Sequence, residues 1–179
     1  MKTLGERLAW RALRVSALVV VALWSVDAEA QFTRFKWKAQ DQPPVREAPA
    51  FAYDSARSRY VLFGGSSTAG SLSDVWEWTG TTWVAGAPFI RPSARGSMSA
   101  LFDSDTSRTA IFGGTGSSTY NDVWLWNGSS WLRPQPLKSP STRTDGAMVY
   151  DSLRKRWVLF GGTSSTGLQL TDTWEYDAS

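Results

Sequence analysis

Hydrophobic and polar positions along the chain recur with a long period. Arg59-Tyr60-Val61-Leu62-Phe63-Gly64-Gly65 is an apolar run closed by two glycines, as are Thr109-Ala110-Ile111-Phe112-Gly113-Gly114 and Arg156-Trp157-Val158-Leu159-Phe160-Gly161-Gly162. A Ser/Thr/Gly-rich loop follows each run. After it comes an alternating segment: Asp74-Val75-Trp76-Glu77-Trp78, Asp122-Val123-Trp124-Leu125-Trp126 and Asp172-Thr173-Trp174-Glu175-Tyr176. Period-2 alternation places Trp76 and Trp78 on one face of a strand and Val75 and Glu77 on the other. The Phe-Gly-Gly units start 49 and 48 residues apart. Such a period predicts stacked supersecondary units, none able to bury its apolar faces alone.

Each unit divides into four short strands. Strand A, near 46–53, 95–102 and 143–150, is rich in small residues such as Ala48, Ala50, Gly96, Ser99, Gly146 and Ala147. Small side chains suit the crowded position where units converge. A turn opens on Asp54, Asp103 or Asp151, whose carboxylate can accept backbone N–H groups two residues on. Strand B is the apolar run, and its closing glycines (Gly64, Gly65, Gly113, Gly114, Gly161 and Gly162) fit positive φ and close backbone approach. After the loops 66–73, 115–121 and 163–171 comes strand C, carrying Trp76, Trp124 and Trp174. Thr79-Gly80 and Asn127-Gly128 then predict two-residue hairpins into strand D, with Trp83 and Trp131. The units run about 46–86, 95–133 and 143–177. Residues 32–39, around Trp37, resemble an orphan outer strand of the same repeat, because Trp, Pro and Arg keep their order after it.

Residues 1–30 read as a secretory signal peptide. Lys2, Arg7, Arg11 and Arg14 precede an apolar run from Val15 to Val26, and Ala28-Glu29-Ala30 fits a small-x-small cleavage site. The run is too short to span a bilayer comfortably. Cleavage would leave residues 31–179 secreted or periplasmic, with no membrane association. The formal net charge is +3, and removing residues 1–30 leaves 15 of the 19 basic and 13 of the 16 acidic side chains. That balance does not point to nucleic acid. With no Cys and no His, disulfides, thiolate metal sites and the commonest general base are excluded. No metal or other cofactor is expected.

The combined pattern of Arg, small-residue strand, Tyr/Phe-Asp, apolar run, Phe-Gly-Gly, Asp-Val-Trp and Gly-turn-Trp resembles kelch repeats, notably the Trp-rich bacterial kind. The resemblance covers about residues 32–177. It implies an all-β fold of kelch-type β-propeller blades, each of four antiparallel strands, about three blades forming a partial propeller. It also implies a protein-binding role, although some kelch modules resemble the propeller of galactose oxidase. That enzyme's copper ligands include His, so its site carries over to no position here.

In such a blade the A–B and C–D turns share one rim, and the longer B–C and D–A connections share the other. Binding usually lives on loops held by a rigid scaffold. The ligand surface is therefore expected on the long-loop rim, with Phe89, Arg91, Tyr120 and Leu168 as candidate contacts. Arg95 and Arg143, like Arg46, begin strand A on that rim, where Asp74, Asp122 and Asp172 begin strand C. They form either an arginine cluster for an anion or a structural Arg–Asp pair repeated in each blade; repetition favours the pair. Glu77 and Glu175 share a repeat position whose third member is Leu125, which favours solvated strand positions over a paired acid site. Asp103 and Asp105 are too few for a calcium loop. The tryptophans fit blade packing better than sugar stacking.

The reading that follows is a secreted, non-catalytic binding module for a protein or glycan. The alternatives are a fragment or descendant of a carbohydrate-active propeller enzyme, or a truncated product. Three blades fall short of the usual four to eight. A homodimer would complete a six-bladed ring.

Overall fold

A computed structural model describes residues 38–39 and 42–177. The expected signal peptide and most of the expected outer strand, 32–37, lie outside these residues; Lys38 and Ala39 are exposed and belong to no strand. All regular structure in the described residues is β.

The first blade contains β1 (Ala50–Asp54), β2 (Arg59–Phe63), the small hairpin β3 (Ser66–Ser67) and β4 (Gly70–Ser71), then β5 (Val75–Trp78) and β6 (Trp83–Gly86). Its sheet order is β1-β2-β5-β6, antiparallel throughout. The second blade opens with β7 (Arg95–Gly96), continues with β8 (Ser99–Asp103) and β9 (Arg108–Phe112), and closes with β10 (Thr115–Gly116), β11 (Val123–Trp126) and β12 (Trp131–Leu132). The order β8-β9-β11-β12 repeats the first blade. The third contains β13 (Arg143–Thr144), β14 (Ala147–Asp151), β15 (Arg156–Ser164) and β16 (Gln169–Asp177). Strand β15 pairs with β14 and β16, so the described part of this blade holds the A, B and C strands.

Two apolar seams hold the blades together. Ala50, Val61, Phe63 and Val75 of blade 1 pack against Ile111, Trp124, Trp126 and Trp131 of blade 2. Leu101, Ala110, Phe112 and Val123 on the opposite face of blade 2 pack against Trp157 and Leu159, with Met148, Trp174 and Tyr176 beside them. Fully burying each large side chain stabilises by about 1.5–3 kcal/mol, so a sheet with two apolar faces gains most when blades flank both. Strand β8 touches both β1 and β14, as expected for small-residue innermost strands.

The turn aspartates act as their sequence positions predict. Asp54 accepts from the N–H of Arg57, Asp103 from Asp105 and Thr106, and Asp151 from Leu153 and Arg154. Three other expectations change. The C–D hairpins have four-residue loops, because Trp78 pairs with Trp83 and Trp126 with Trp131. Asn127 therefore does not occupy a type I′ turn; its Oδ1 accepts the N–H groups of Ser129 and Ser130. Strand A is not continuous: Ala48, Ser97 and Asp145, each two residues after the blade's arginine, have φ of 47°, 56° and 57°. This left-handed kink separates the short arginine strand from the main innermost strand. Finally, Thr115–Gly116 is not free loop but pairs with Arg95–Gly96.

Candidate functional site

The long-loop rim is built on one side-chain network, repeated in every blade. Arg46 donates to both carboxylate oxygens of Asp74 at 2.7 and 2.8 Å and to the carbonyl of Gly64. Arg143 does the same to Asp172, at 2.7 Å to each oxygen, and to the Gly161 carbonyl. Arg95 pairs with Asp122 and the Gly113 carbonyl. Each Nε donates to the carbonyl two residues upstream: Pro44, Ser93 or Ser141. A tryptophan indole completes each network, Trp76 to Asp74, Trp124 to Asp122 and Trp174 to Asp172.

Burial alone would raise the carboxyls of Asp74 and Asp122, but the arginine and tryptophan donors outweigh it and hold both below the ordinary range. Asp172 is held well below it, first by Arg143 and then by Trp174. Arg95 and Arg143 are each only 1% exposed. Their planar groups are engaged bidentately, so the expectation of Arg95 and Arg143 as ligand contacts is corrected. They brace each blade, locking the start of strand A to the start of strand C and to the first glycine of the pair.

That glycine pair also joins neighbouring blades. The N–H of Gly65 donates to the Arg95 carbonyl, and that of Gly114 to the Arg143 carbonyl. Gly64 and Gly65 have φ of 63° and 96°, and Gly113 and Gly114 of 70° and 89°. A Cβ on Gly113 would lie 2.6 Å from the carbonyl oxygen of Arg143 in the next blade.

Tyr120, half-buried, is tied to the same network. Its ring lies 3.6 Å from the Arg95 guanidinium carbon, its N–H donates to Gly114, and its carbonyl accepts from the N–H of Arg143. Leu72 makes the same two main-chain bonds, to Gly65 and from Arg95. Tyr120 thus occupies a repeat position, two residues before the strand C aspartate. The repeat is hidden in the sequence because what Tyr120 shares with Leu72 is its main-chain bonding.

Glu77 is not simply solvated. It accepts from Arg57 and, across the seam, from the indole of Trp126, both at 2.7 Å. Asp103 accepts from Trp157 across the second seam, and Asp105 pairs with Lys155. No group of three or more candidate metal ligands occurs among the described residues.

The other candidates remain open on the rim. Phe89, Arg91 and Leu168 are exposed in D–A and B–C connections. Val45, Ile90 and Leu137, which the repeat pattern does not single out, are exposed in connections on the same rim. The signal that could have found them is a large apolar residue inside a Pro-rich connection. Between blades 2 and 3, Pro136, Lys138 and Pro140 overhang a cavity of about 50 Å³ against Trp174, room for little more than water.

Comparison with solved structures agrees with this geometry. The structure of YjhT, a propeller protein, superposes with a TM-score of 0.62 at 19% identity, over 79% of this chain and 45% of that one. The fold is a β-propeller segment. The chain spans less than half the length of YjhT. No family model and no curated protein matches the sequence.

Proposed function

We propose that this chain is a secreted or periplasmic kelch-repeat module that binds a protein or glycan partner through its long-loop rim, without catalysis. The observation that carries this reading is the exposure of large apolar side chains in the connections of that rim: Phe89, Ile90, Leu137 and Leu168. The connections of Phe89, Ile90 and Leu137 end at the buried Arg95 and Arg143, and that of Leu168 leads to Asp172, the partner of Arg143. Large apolar groups on a rigid scaffold offer anchors that a partner can desolvate at little entropic cost. The repeat residues support the kelch assignment, and the basic segment, apolar run and Ala28-Glu29-Ala30 support export.

A glycan array and a capture experiment from the culture fluid or envelope test the reading. The probes are the exported chain and two variants, Phe89→Ser and Leu153→Ser. Leu153 is equally exposed but lies in the A–B turn of the opposite rim. The expected outcome is a partner retained by Leu153→Ser and bound at least about tenfold more weakly by Phe89→Ser, a loss of about 1.4 kcal/mol. Loss with Leu153→Ser alone places binding on the other rim and refutes the proposal.

A further inference from the structure

We propose that the outer faces of blades 1 and 3 bind each other between two copies of this chain, through two identical seams. The two faces are the separated halves of an interface that the chain already builds internally. Phe63 is 1% exposed where blade 1 meets blade 2, whereas its counterpart Phe160 is 53% exposed. Val149, on the same outer face of blade 3, is exposed, while the surrounding residues of blade 1's equivalent face are buried in the first seam. On the outer face of blade 1, Phe51 and Tyr60 stack at 5.6 Å and Trp78 and Trp83 lie 5.6 Å apart, partly exposed. Their counterparts Trp126 and Trp131 in blade 2 are buried against blade 1.

The polar groups select the occupant. In the first seam, Glu77 is held by Arg57 and accepts the Trp126 indole, while the same Arg57 side chain lies against Gly128. The second seam lacks these groups: Thr106, Leu125 and Tyr176 replace the arginine, the glutamate and the tryptophan. The set returns, divided between the two outer faces. Glu175 on blade 3 is held by Arg154 at 2.6 Å, as Glu77 is by Arg57. Trp78 and Gly80 on blade 1 hold the positions of Trp126 and Gly128, and no atom lies within 4 Å of where a Cβ of Gly80 would stand. Blade 3 of one copy therefore matches blade 1 of another in both apolar and polar groups, with Trp78 donating to Glu175.

The main chain is complementary as well. Gly64 and Gly113 each face the arginine carbonyl of the next blade, whereas the nearest atom to a Cβ on Gly161 is the Leu170 carbonyl of its own blade. Arg46 supplies the missing arginine. A twofold axis makes both seams equivalent.

Sedimentation of the purified, exported chain tests this, with Phe160→Glu and Tyr60→Glu as variants at exposed positions and near-UV circular dichroism as the check on folding. The wild type is expected at twice the chain mass, and each variant as a folded monomer. Mixing the two variants restores a dimer, because one of its seams is unmutated. Trp78→Phe and Glu175→Gln, both milder, weaken the dimer by similar factors, and the double variant by no more than either alone. A folded wild-type monomer overturns the proposal. So does a dimer indifferent to Phe160→Glu, a mixture that stays monomeric, or a mass that keeps growing with concentration.

Discussion

Arg143 is 1% exposed, and the fold tolerates its burial because its donors are matched by Asp172, the Gly161 carbonyl and the Ser141 carbonyl. A buried charge without such partners would cost several kcal/mol. The pairing carries a pH dependence. Asp172 is depressed in the folded state, so its contribution is fully present above the unfolded carboxylate value of about 3.9 and is lost as pH falls through the folded value. Asp74 and Asp122 are depressed too and act in the same direction. Thermal midpoints measured from pH 5 downward should therefore fall for the wild type. In Asp172→Asn the midpoint should start lower at pH 5 and fall less steeply. An unchanged slope would mean that the Arg143–Asp172 pair does not couple to folding. The sequence offered the Arg and Asp positions but left open an anion site; the bidentate geometry decides for pairing. The left-handed Ala48, Ser97 and Asp145 were not legible, because three different residues share that conformation and none is glycine.

Strands and their turns were read from alternation, from the paired glycines and from the turn aspartates. The antiparallel order of the four strands in blades 1 and 2 follows those signals. The reading failed where backbone, not side chain, does the pairing. Tyr120 looked like a variable loop residue because its repeat partner is Leu72, and Gly116 looked free because its partner strand is two residues long. A Cβ on Gly116 would collide with the Ala94 carbonyl, so that glycine too is fixed by close approach. The second glycine of each strand B exit is the more demanding test of the element. Gly114 has φ of 89°, and a Cβ there would lie 2.5 Å from Met98 and 2.6 Å from the Gly96 carbonyl. Gly70 also has positive φ, but its Cβ would meet nothing within 4 Å. Both pay the conformational cost on substitution, and only Gly114 adds overpacking, about 1–3 kcal/mol. Denaturant unfolding should show Gly114→Ala less stable than Gly70→Ala by that margin. Equal losses would contradict the strand exit as described.

At the scale of the molecule, the three blades of the described residues are joined by seams in which each sheet buries one face against the next. The long-loop rim was legible as the place for exposed residues, and Phe89, Arg91 and Leu168 stay there. The contents of the seams were not, since Glu77 and Trp126 are 49 residues apart and nothing in either local pattern links them. Both seams are crossed by an indole: Trp126 donates to Glu77 at 2.7 Å and Trp157 to Asp103 at 2.9 Å. Both tryptophans are buried. Hydrogen exchange of the tryptophan indoles, followed by nitrogen-15 NMR on the chain and on Glu77→Ala, tests the stacked-blade account most directly. The account predicts slow exchange at Trp126 and Trp157, and in Glu77→Ala faster exchange at Trp126 with Trp157 unchanged. Exchange at both indoles as fast as in free tryptophan would contradict it.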